Sequence, residues 1–138
     1  MVYVLMQFLA ISALLYFTSF TVMSWSFVVQ VIAISLAAWA GWELQKSRLS
    51  VLPELKEGAQ LIQRGPYRLI RHPMYSSLLL FFIPTALNSG GIAAPLMYLL
   101  LLVTLLFKVR YEEKLLNSHF SDYENYSQNS YSLVPFIF

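Results

Sequence analysis

Residues 92–107 read IAAPLMYLLLLVTLLF, a run of 16 residues without a charged side chain. As an α-helix this run is about 24 Å long, which approaches the bilayer hydrocarbon thickness of about 30 Å. Directly after it the chain becomes charged, with five charged side chains from Lys108 to Lys114. We therefore expect a membrane-crossing helix that continues through Leu116 as a charged extension beyond one membrane surface.

Two apolar runs at the start of the chain extend this outline. Residues 2–20 and residues 27–42 are separated by an uncharged polar break, which predicts two helices joined in a hairpin. Small residues recur every fourth position in the second run, so one face of that helix is expected to pack closely against another helix. These small residues are Ala33, Ala37 and Gly41.

A third apolar run, residues 74–87, is only 14 residues long and contains Pro84. A helix of about 21 Å is short for a bilayer span. We expect the helix to start below the membrane surface, with the Arg71 guanidinium extending back to water. A tight turn at residues 88–91, which read NSGG, then leads into the fourth run.

Composition excludes several classes of protein. Hydrophobic residues make up 58% of the chain and charged residues 12%, about half the charged fraction of soluble domains. A net charge of +2 provides no broad basic surface for nucleic acid, and the absence of cysteine excludes disulfides and thiolate chemistry. The first run lacks the basic start of a signal peptide and is interpreted as a retained helix.

Charge distribution predicts one all-α membrane domain over residues 1–138. Its expected parts are a helical hairpin at 1–45, a cytoplasmic loop at 46–73, a second hairpin with a charged extension at 74–116, and a tail at 117–138. All nine Lys and Arg residues lie between Lys46 and Arg71 or between Lys108 and Lys114. The positive-inside rule then places both charged segments and both termini in the cytoplasm, and we expect the plasma membrane of a prokaryote.

The two charged segments hold the polar groups needed for a site, although each group also has a simpler interpretation. Lys108 and Glu112 are four residues apart and suit a surface ion pair. Arg68 and Arg71 suit contacts with lipid phosphates, the tyrosines suit an interfacial belt, and the tail ending LVPF suits the bilayer surface. The tyrosines in question are Tyr67, Tyr75, Tyr123 and Tyr126, and His119 is expected on an exposed turn.

The order of these segments resembles a known superfamily. Residues 65–75 read GPYRLIRHPMY, and after a membrane hairpin residues 112–116 read EEKLL. A phenylalanine, two spaced tyrosines and a proline close the pattern: Phe120, Tyr123, Tyr126 and Pro135. This arrangement, over residues 57–136, resembles the isoprenylcysteine carboxyl methyltransferase and phospholipid methyltransferase superfamily.

The resemblance implies an S-adenosylmethionine pocket facing the cytoplasm and a lipid-like acceptor arriving from the bilayer. It implies no metal. The catalytic candidates are His72, which suits proton removal from an amine acceptor, and Lys108 or Arg110, which suit steering of the acceptor. The implied cofactor contacts are Gln60, Leu61, Ile62, Tyr67, His72, Pro73, Met74, Tyr75, Glu112 and Glu113.

The residue types suit this chemistry. S-adenosylmethionine carries a sulfonium, an ammonium, a carboxylate and ribose hydroxyls. A pocket for it needs an acidic hydrogen-bond acceptor, a hydrogen-bond donor and aromatic rings that tolerate positive charge. Methyl transfer is an in-line displacement that needs positioning and exclusion of water but no enzyme nucleophile. No Gly-x-Gly-x-x-Gly loop occurs, which excludes a Rossmann-type methyltransferase.

Two positions depart from the family pattern and leave alternatives open. Ser77 stands where the family commonly has glycine, and Lys108 stands where isoprenylcysteine enzymes tend to have an arginine. Lysine binds a carboxylate as a point charge, without the bidentate grip of arginine. The alternatives are methylation of a phospholipid amine, or a noncatalytic protein that binds anionic lipid or a partner through its basic loop. The small size also favours a homodimer.

Overall fold

The computed structural model describes residues 2–18, 24–46 and 61–135. Its five α-helices within these ranges are α1 (Val2–Phe17), α2 (Trp25–Lys46), α3 (Pro73–Asn88), α4 (Ala93–His119) and α5 (Tyr123–Gln128), with a 3₁₀ helix at Gly65–Arg68. The described ranges contain no strand, and an isolated parallel bridge joins Ile70 to Tyr131. The predicted all-α membrane fold is confirmed.

Two of the helices, α2 and α4, are long and apolar enough to cross a bilayer. Helices α1 and α3 have 16 residues each. Large apolar side chains such as Phe8, Val28 and Leu99 are exposed on the outer faces of α1, α2 and α4, and a hydrocarbon environment covers such faces at no cost. The four-span topology stays a prediction.

The helices do not pack in the order in which they follow one another. Helix α1 packs chiefly on α4, α2 packs on α3, and α3 packs on α4. The core between α1, α3 and α4 is built from fully buried side chains, among them Leu14, Phe82 and Leu105. Helices α1 and α2 of the predicted hairpin are thus consecutive in the sequence, but each packs mainly on another helix, α1 on α4 and α2 on α3.

Helix α2 is packed through a face slightly different from the one predicted. Ala33 and Ala40 are buried, whereas Gly41 has open space where a Cβ would lie. The buried residues of α2 are Gln30, Ala33 and Ala40, with successive spacings of three and seven residues. These spacings follow the 3.6-residue period of the helix more closely than a strict spacing of four does. Only Ala33 of the predicted face is fully buried.

The bounds of α3 and α4 agree with the prediction to within a few residues. Proline occupies the first position of α3 and begins the helix, because its missing N–H has no intrahelical partner at that position. Helix α4 runs through the predicted span and its charged extension as one 27-residue helix.

The tail differs from its prediction. It forms α5, which was not expected, and Leu133 is 2% exposed within the core that α1, α3 and α4 share. The expectation that the apolar ending lies on the bilayer surface is therefore wrong for Leu133, while Val134 is exposed. Phe136 lies outside the described residues.

Candidate functional site

The 3₁₀ helix places Tyr67 at the end of α2. Gly65 starts it with φ +57°, a left-handed conformation that suits glycine. A Cβ on Gly65 would lie 2.9 Å from Cγ of Glu43 and 3.1 Å from Nε1 of Trp39, so the chain passes close against α2. Tyr67 then packs into a small apolar cluster with Ala40 and Ile62.

The backbone and the phenol of Tyr67 both interact with other parts of the site. Its carbonyl oxygen accepts a hydrogen bond from the Tyr126 hydroxyl, which ties the 3₁₀ helix to α5. Burial, and then the negative charge of Glu112, raise the pKa of the Tyr67 phenol to about 12. The Tyr67 phenol, which is neutral at physiological pH even at its ordinary pKa, thus favours the neutral form further.

Glu112 lies at the centre of an aromatic and imidazole cluster. Its Oε1 accepts a hydrogen bond of 2.7 Å from the Tyr75 hydroxyl, and its Oε2 is 3.7 Å from Nδ1 of His72. The imidazole of His72 stacks on the Tyr75 ring with centroids 5.6 Å apart. The Tyr75 bond fixes one carboxylate oxygen, and Oε2 keeps capacity for a further donor.

Glu113 makes a different set of contacts. Its Oε1 accepts hydrogen bonds from Nε of Arg71 at 2.8 Å and from the Ser132 hydroxyl at 3.0 Å, and it lies 3.3 Å from Nε2 of His72. We call this group the Arg71–Glu113 clasp. Because Glu113 joins α4 to the tail, Glu112 is the better candidate of the two for a cofactor contact.

The Arg71 guanidinium is turned into the protein. Besides Glu113, its Nη1 donates to the carbonyl oxygens of Ser127, at 2.9 Å, and of Ser130. The side chain is 12% exposed. The expectations that Arg71 extends back to water or anchors lipid phosphate are therefore wrong, because three internal acceptors satisfy the guanidinium in place of solvent.

Backbone hydrogen bonds lay the tail beside residues 69–72. The Arg71 N–H donates to the Tyr131 carbonyl at 2.8 Å, the His72 N–H donates to Ser132 at 3.1 Å, and the Tyr131 N–H donates to Leu69 at 2.9 Å. The position of His72 thus depends on the tail as well as on the start of α3.

Lys108 lies deep in the bundle. It is 7% exposed, and its ammonium donates to Oε1 of Gln7 at 3.0 Å and lies 4.9 Å from the centre of the Tyr75 ring. The interpretation as a surface ion pair with Glu112 is wrong. Since Lys108 and Glu112 are one helical turn apart, both face the site.

Arg110 lies outside this cluster. It is exposed on α4, and at about 100° per residue its side chain leaves the helix roughly 160° away from Lys108 and Glu112. Of the two cations predicted to steer an acceptor, the structure brings only Lys108 to the site.

The remaining predicted residues divide into three groups. Ile62 and Pro73 are buried, and Leu61 and Met74 are half-buried. Met74 packs against the apolar cluster of Ala40, Ile62 and Tyr67. Gln60 lies outside the described residues. Arg68 and His119 are exposed, as expected for His119. The interpretation of the tyrosines as an interfacial belt is wrong. Tyr67, Tyr123 and Tyr126 are buried and Tyr75 is half-buried.

Ser77, the departure from the family glycine, is accommodated within α3. It is 4% exposed, and its hydroxyl donates to the Met74 carbonyl at 2.7 Å. The described residues contain no group of three or more His, Asp or Glu side chains arranged to hold a metal ion.

Comparison with known proteins matches the sequence to a family. The sequence model for phospholipid methyltransferase matches residues 8–123, a range that holds Tyr67, His72, Lys108 and Glu112. The chain belongs to the phospholipid methyltransferase family. The predicted superfamily resemblance is thereby confirmed.

Individual relatives of this family member are similar over a shorter range. The chain is 36% identical over 80 residues to a "Probable protein-S-isoprenylcysteine O-methyltransferase" of Oryza sativa subsp. indica, and equally to one of subsp. japonica. The aligned part covers 56% of this chain and 42% of each relative. The chain thus spans less than half the length of these curated relatives.

Sequence reasoning missed the partners that complete the site in this family member. Gln7 supplies the acceptor for Lys108, and Ser132 supplies a donor to Glu113. A polar Gln7 inside an apolar run is a signal that an internal partner exists, although it does not identify that partner. For Ser132 no local signal exists, because its role follows from where the tail docks.

Proposed function

We propose that the protein transfers a methyl group from S-adenosylmethionine to a lipid-like acceptor embedded in the membrane. The observation that carries this proposal is the Glu112 carboxylate, held by Tyr75 at 2.7 Å beside His72 at the end of an apolar helix. Membership of the phospholipid methyltransferase family and the printed names of the rice relatives support it.

The residues around Glu112 fit the proposed cofactor. A carboxylate with one oxygen engaged by Tyr75 has acceptor capacity left on Oε2 for ribose hydroxyls or an ammonium. The neutral rings of Tyr67 and Tyr75 supply faces that tolerate positive charge. When bound, S-adenosylmethionine supplies the electrophilic methyl group.

The protein's own part in the reaction is positioning. Glu112 and the two tyrosines orient the donor, the buried surroundings keep water away, and Lys108 steers the acceptor. For an acceptor that is already an anion, no proton has to move. For an amine acceptor, the His72 imidazole is the candidate base, with Nδ1 turned toward Glu112 and Nε2 toward Glu113.

Two acceptor classes have support. The rice relatives are named for O-methylation of an isoprenylcysteine, which supports a lipidated carboxylate. The family is named for phospholipid, which supports an amine head group. The proposed topology is multi-pass with both charged segments and both termini in the cytoplasm; the prokaryotic plasma membrane and the homodimer stay predictions.

The first test is calorimetric titration of detergent-purified protein with S-adenosylhomocysteine. We expect saturable binding that weakens roughly tenfold or more in Glu112→Gln, because a hydrogen-bond acceptor of full charge is lost. Glu124→Gln is the matched control, since Glu124 is exposed on α5. Absence of binding in a folded wild-type sample would contradict the proposal.

The acceptor is identified by transfer of labelled methyl groups. Membranes containing phosphatidylethanolamine and membranes containing a farnesylcysteine acid are supplied separately, and the lipid product is separated. If the protein binds S-adenosylhomocysteine but methylates neither lipid, both proposed acceptor classes are wrong and the acceptor belongs to another class.

A further inference from the structure

A polar cavity lies at the end of the bundle opposite to His72 and Glu112. It has a volume of about 400 Å³ and is bounded by the end of α1, the start of α2 and the end of α3. Asn88, which lines the cavity, is 16 residues after His72 along α3, and at about 1.5 Å per residue this separates them by about 24 Å. The cavity is therefore distinct from the site proposed to bind the cofactor.

Gln30 forms the buried part of this cavity. It is 2% exposed, and its Oε1 accepts no hydrogen bond from the residues that the structure describes. It lies on α2 five residues after Trp25, about 8 Å from the start of the helix. A buried oxygen without a donor costs free energy, and such a group within a membrane helix is a candidate for contact with a ligand. Gln30 thus needs a donor that the described part of the chain does not supply.

Thr85 and the rim of the cavity provide further hydrogen-bonding groups. The Thr18 hydroxyl donates to the Leu14 carbonyl at 2.9 Å, so in the 3.0 Å contact between the two threonines Thr85 is the donor and keeps lone pairs for another group. At the rim, Nδ2 of Asn88 donates to Oγ of Ser26 at 3.0 Å, which leaves the Asn88 amide oxygen as an acceptor and the Ser26 hydroxyl as a donor. The cavity therefore has acceptors at its base and both kinds of group at its rim.

These groups favour an uncharged ligand with several hydroxyls. The described residues that line the cavity carry no charge, so a charged ligand group would lose hydration without gaining an opposite charge. A hydroxyl can donate to the acceptors and also accept from the donor. Phe17 and the exposed Trp25 add apolar ring surface against which the C–H groups of a sugar or polyol can pack. The volume lies within the range of about 300 to 1,000 Å³ found for ligand pockets.

We propose that this cavity binds the hydroxylated head group of an uncharged lipid, such as a glycosyl diacylglycerol. Its position favours a lipid over a free sugar, because the ends of apolar helices lie at the depth of the bilayer head groups. Tyr16 and Trp25 are exposed next to it, as aromatic residues at a membrane interface are. The head group would join α1 to α2 and α3, although α1 packs chiefly on α4. The inference does not depend on the proposed function.

The test uses protein in phosphatidylcholine nanodiscs with and without glucosyl diacylglycerol. Native mass spectrometry should show one glucosyl lipid retained in preference to phosphatidylcholine, and the thermal midpoint should rise with the content of glucosyl lipid. Gln30→Met keeps an unbranched side chain but removes the amide, and should weaken retention of the glucosyl lipid roughly tenfold. Gln45→Met, the same change at an exposed position near the other end of α2, should leave retention unchanged.

Stability without the glucosyl lipid separates binding from a structural role. Gln30→Met removes a buried oxygen that has no partner, so in phosphatidylcholine alone its thermal midpoint should equal or exceed that of the wild type. A clearly lower midpoint would assign Gln30 a structural partner and overturn the inference. Asn88→Ala, at the exposed rim, should also weaken retention, and as a surface change it leaves the fold intact for the measurement.

Three results with the wild-type protein would also overturn the inference. Equal retention of glucosyl lipid and phosphatidylcholine would show that the cavity does not select hydroxyls. Preferential retention of phosphatidylethanolamine would assign it to an ammonium head group, and equal stabilisation by soluble methyl glucoside would assign it to a free sugar. Because the cavity is about 24 Å from His72 along α3, Gln30→Met should bind S-adenosylhomocysteine normally, and failure of the inference would leave the proposed function standing.

Discussion

Glu112 and Glu113 are neighbours in sequence that serve different parts of the molecule. Adjacent residues of a helix project about 100° apart. Glu112 therefore faces Tyr75 and the proposed cofactor, while Glu113 faces Arg71 and Ser132 of the tail. The two members of this acidic pair thus have different hydrogen-bond partners, and binding of the cofactor is proposed only for Glu112.

At this scale the clasp gives a prediction about stability. Arg71→Gln should lower the free energy of unfolding by about 2 kcal/mol, because Glu113 and two backbone carbonyls lose a charged donor within a mostly enclosed site. Arg68→Gln, an exposed arginine three residues earlier, should change it by less than about 0.5 kcal/mol. Equal thermal midpoints in detergent for the two variants would contradict the clasp.

Gly65 gives a second residue-scale prediction. Gly65→Ala should lower the free energy of unfolding by roughly 1 to 2 kcal/mol, because φ is +57° and the new Cβ meets Glu43 and Trp39. Gly91→Ala is the matched control, since Gly91 has no positive φ and open space around it. Thermal unfolding followed by circular dichroism measures both, and a stable Gly65→Ala variant would show that the 3₁₀ helix can shift.

Among the elements, the tail departs most from what its sequence indicates. Leu133→Ala should destabilise the protein by about 2 to 5 kcal/mol, as for other buried leucines, because Leu133 is 2% exposed in the core. Val134→Ala, one exposed position later, should have little effect. A tail lying on the bilayer surface would instead give two similarly mild variants in denaturant unfolding.

How far the sequence predicts these elements depends on the range of the interactions that form them. The extent of α4 follows from its own apolar run and the charges after it, so it was predicted closely. The buried state of Leu133, the partner of Lys108 and the direction of Arg71 depend on contacts between residues that are distant in the chain, such as Gln7 with Lys108. Such pairings have no local pattern, and only the packed bundle determines them.

On the scale of the whole molecule, the charge distribution predicts which end faces the cytoplasm. The chain has no cysteine, so single cysteines report accessibility without background. Gly91→Cys, in the α3–α4 turn, should react with a membrane-impermeant maleimide on intact cells, and Ser118→Cys, at the end of α4, only after permeabilisation. Labelling of both positions from one side would contradict the proposed topology.

The clasp also has a consequence for the timing of synthesis. Arg71 and His72 leave the ribosome well before Ser132, by roughly 3 to 12 s at ordinary elongation rates of about 5 to 20 residues per second. Until then the Arg71 guanidinium lacks Ser127 and Ser130, and His72 lacks its backbone partner. Helices α1 to α4 therefore leave the ribosome before the site can form, and we expect assembly of the His72 region to be a late event in synthesis.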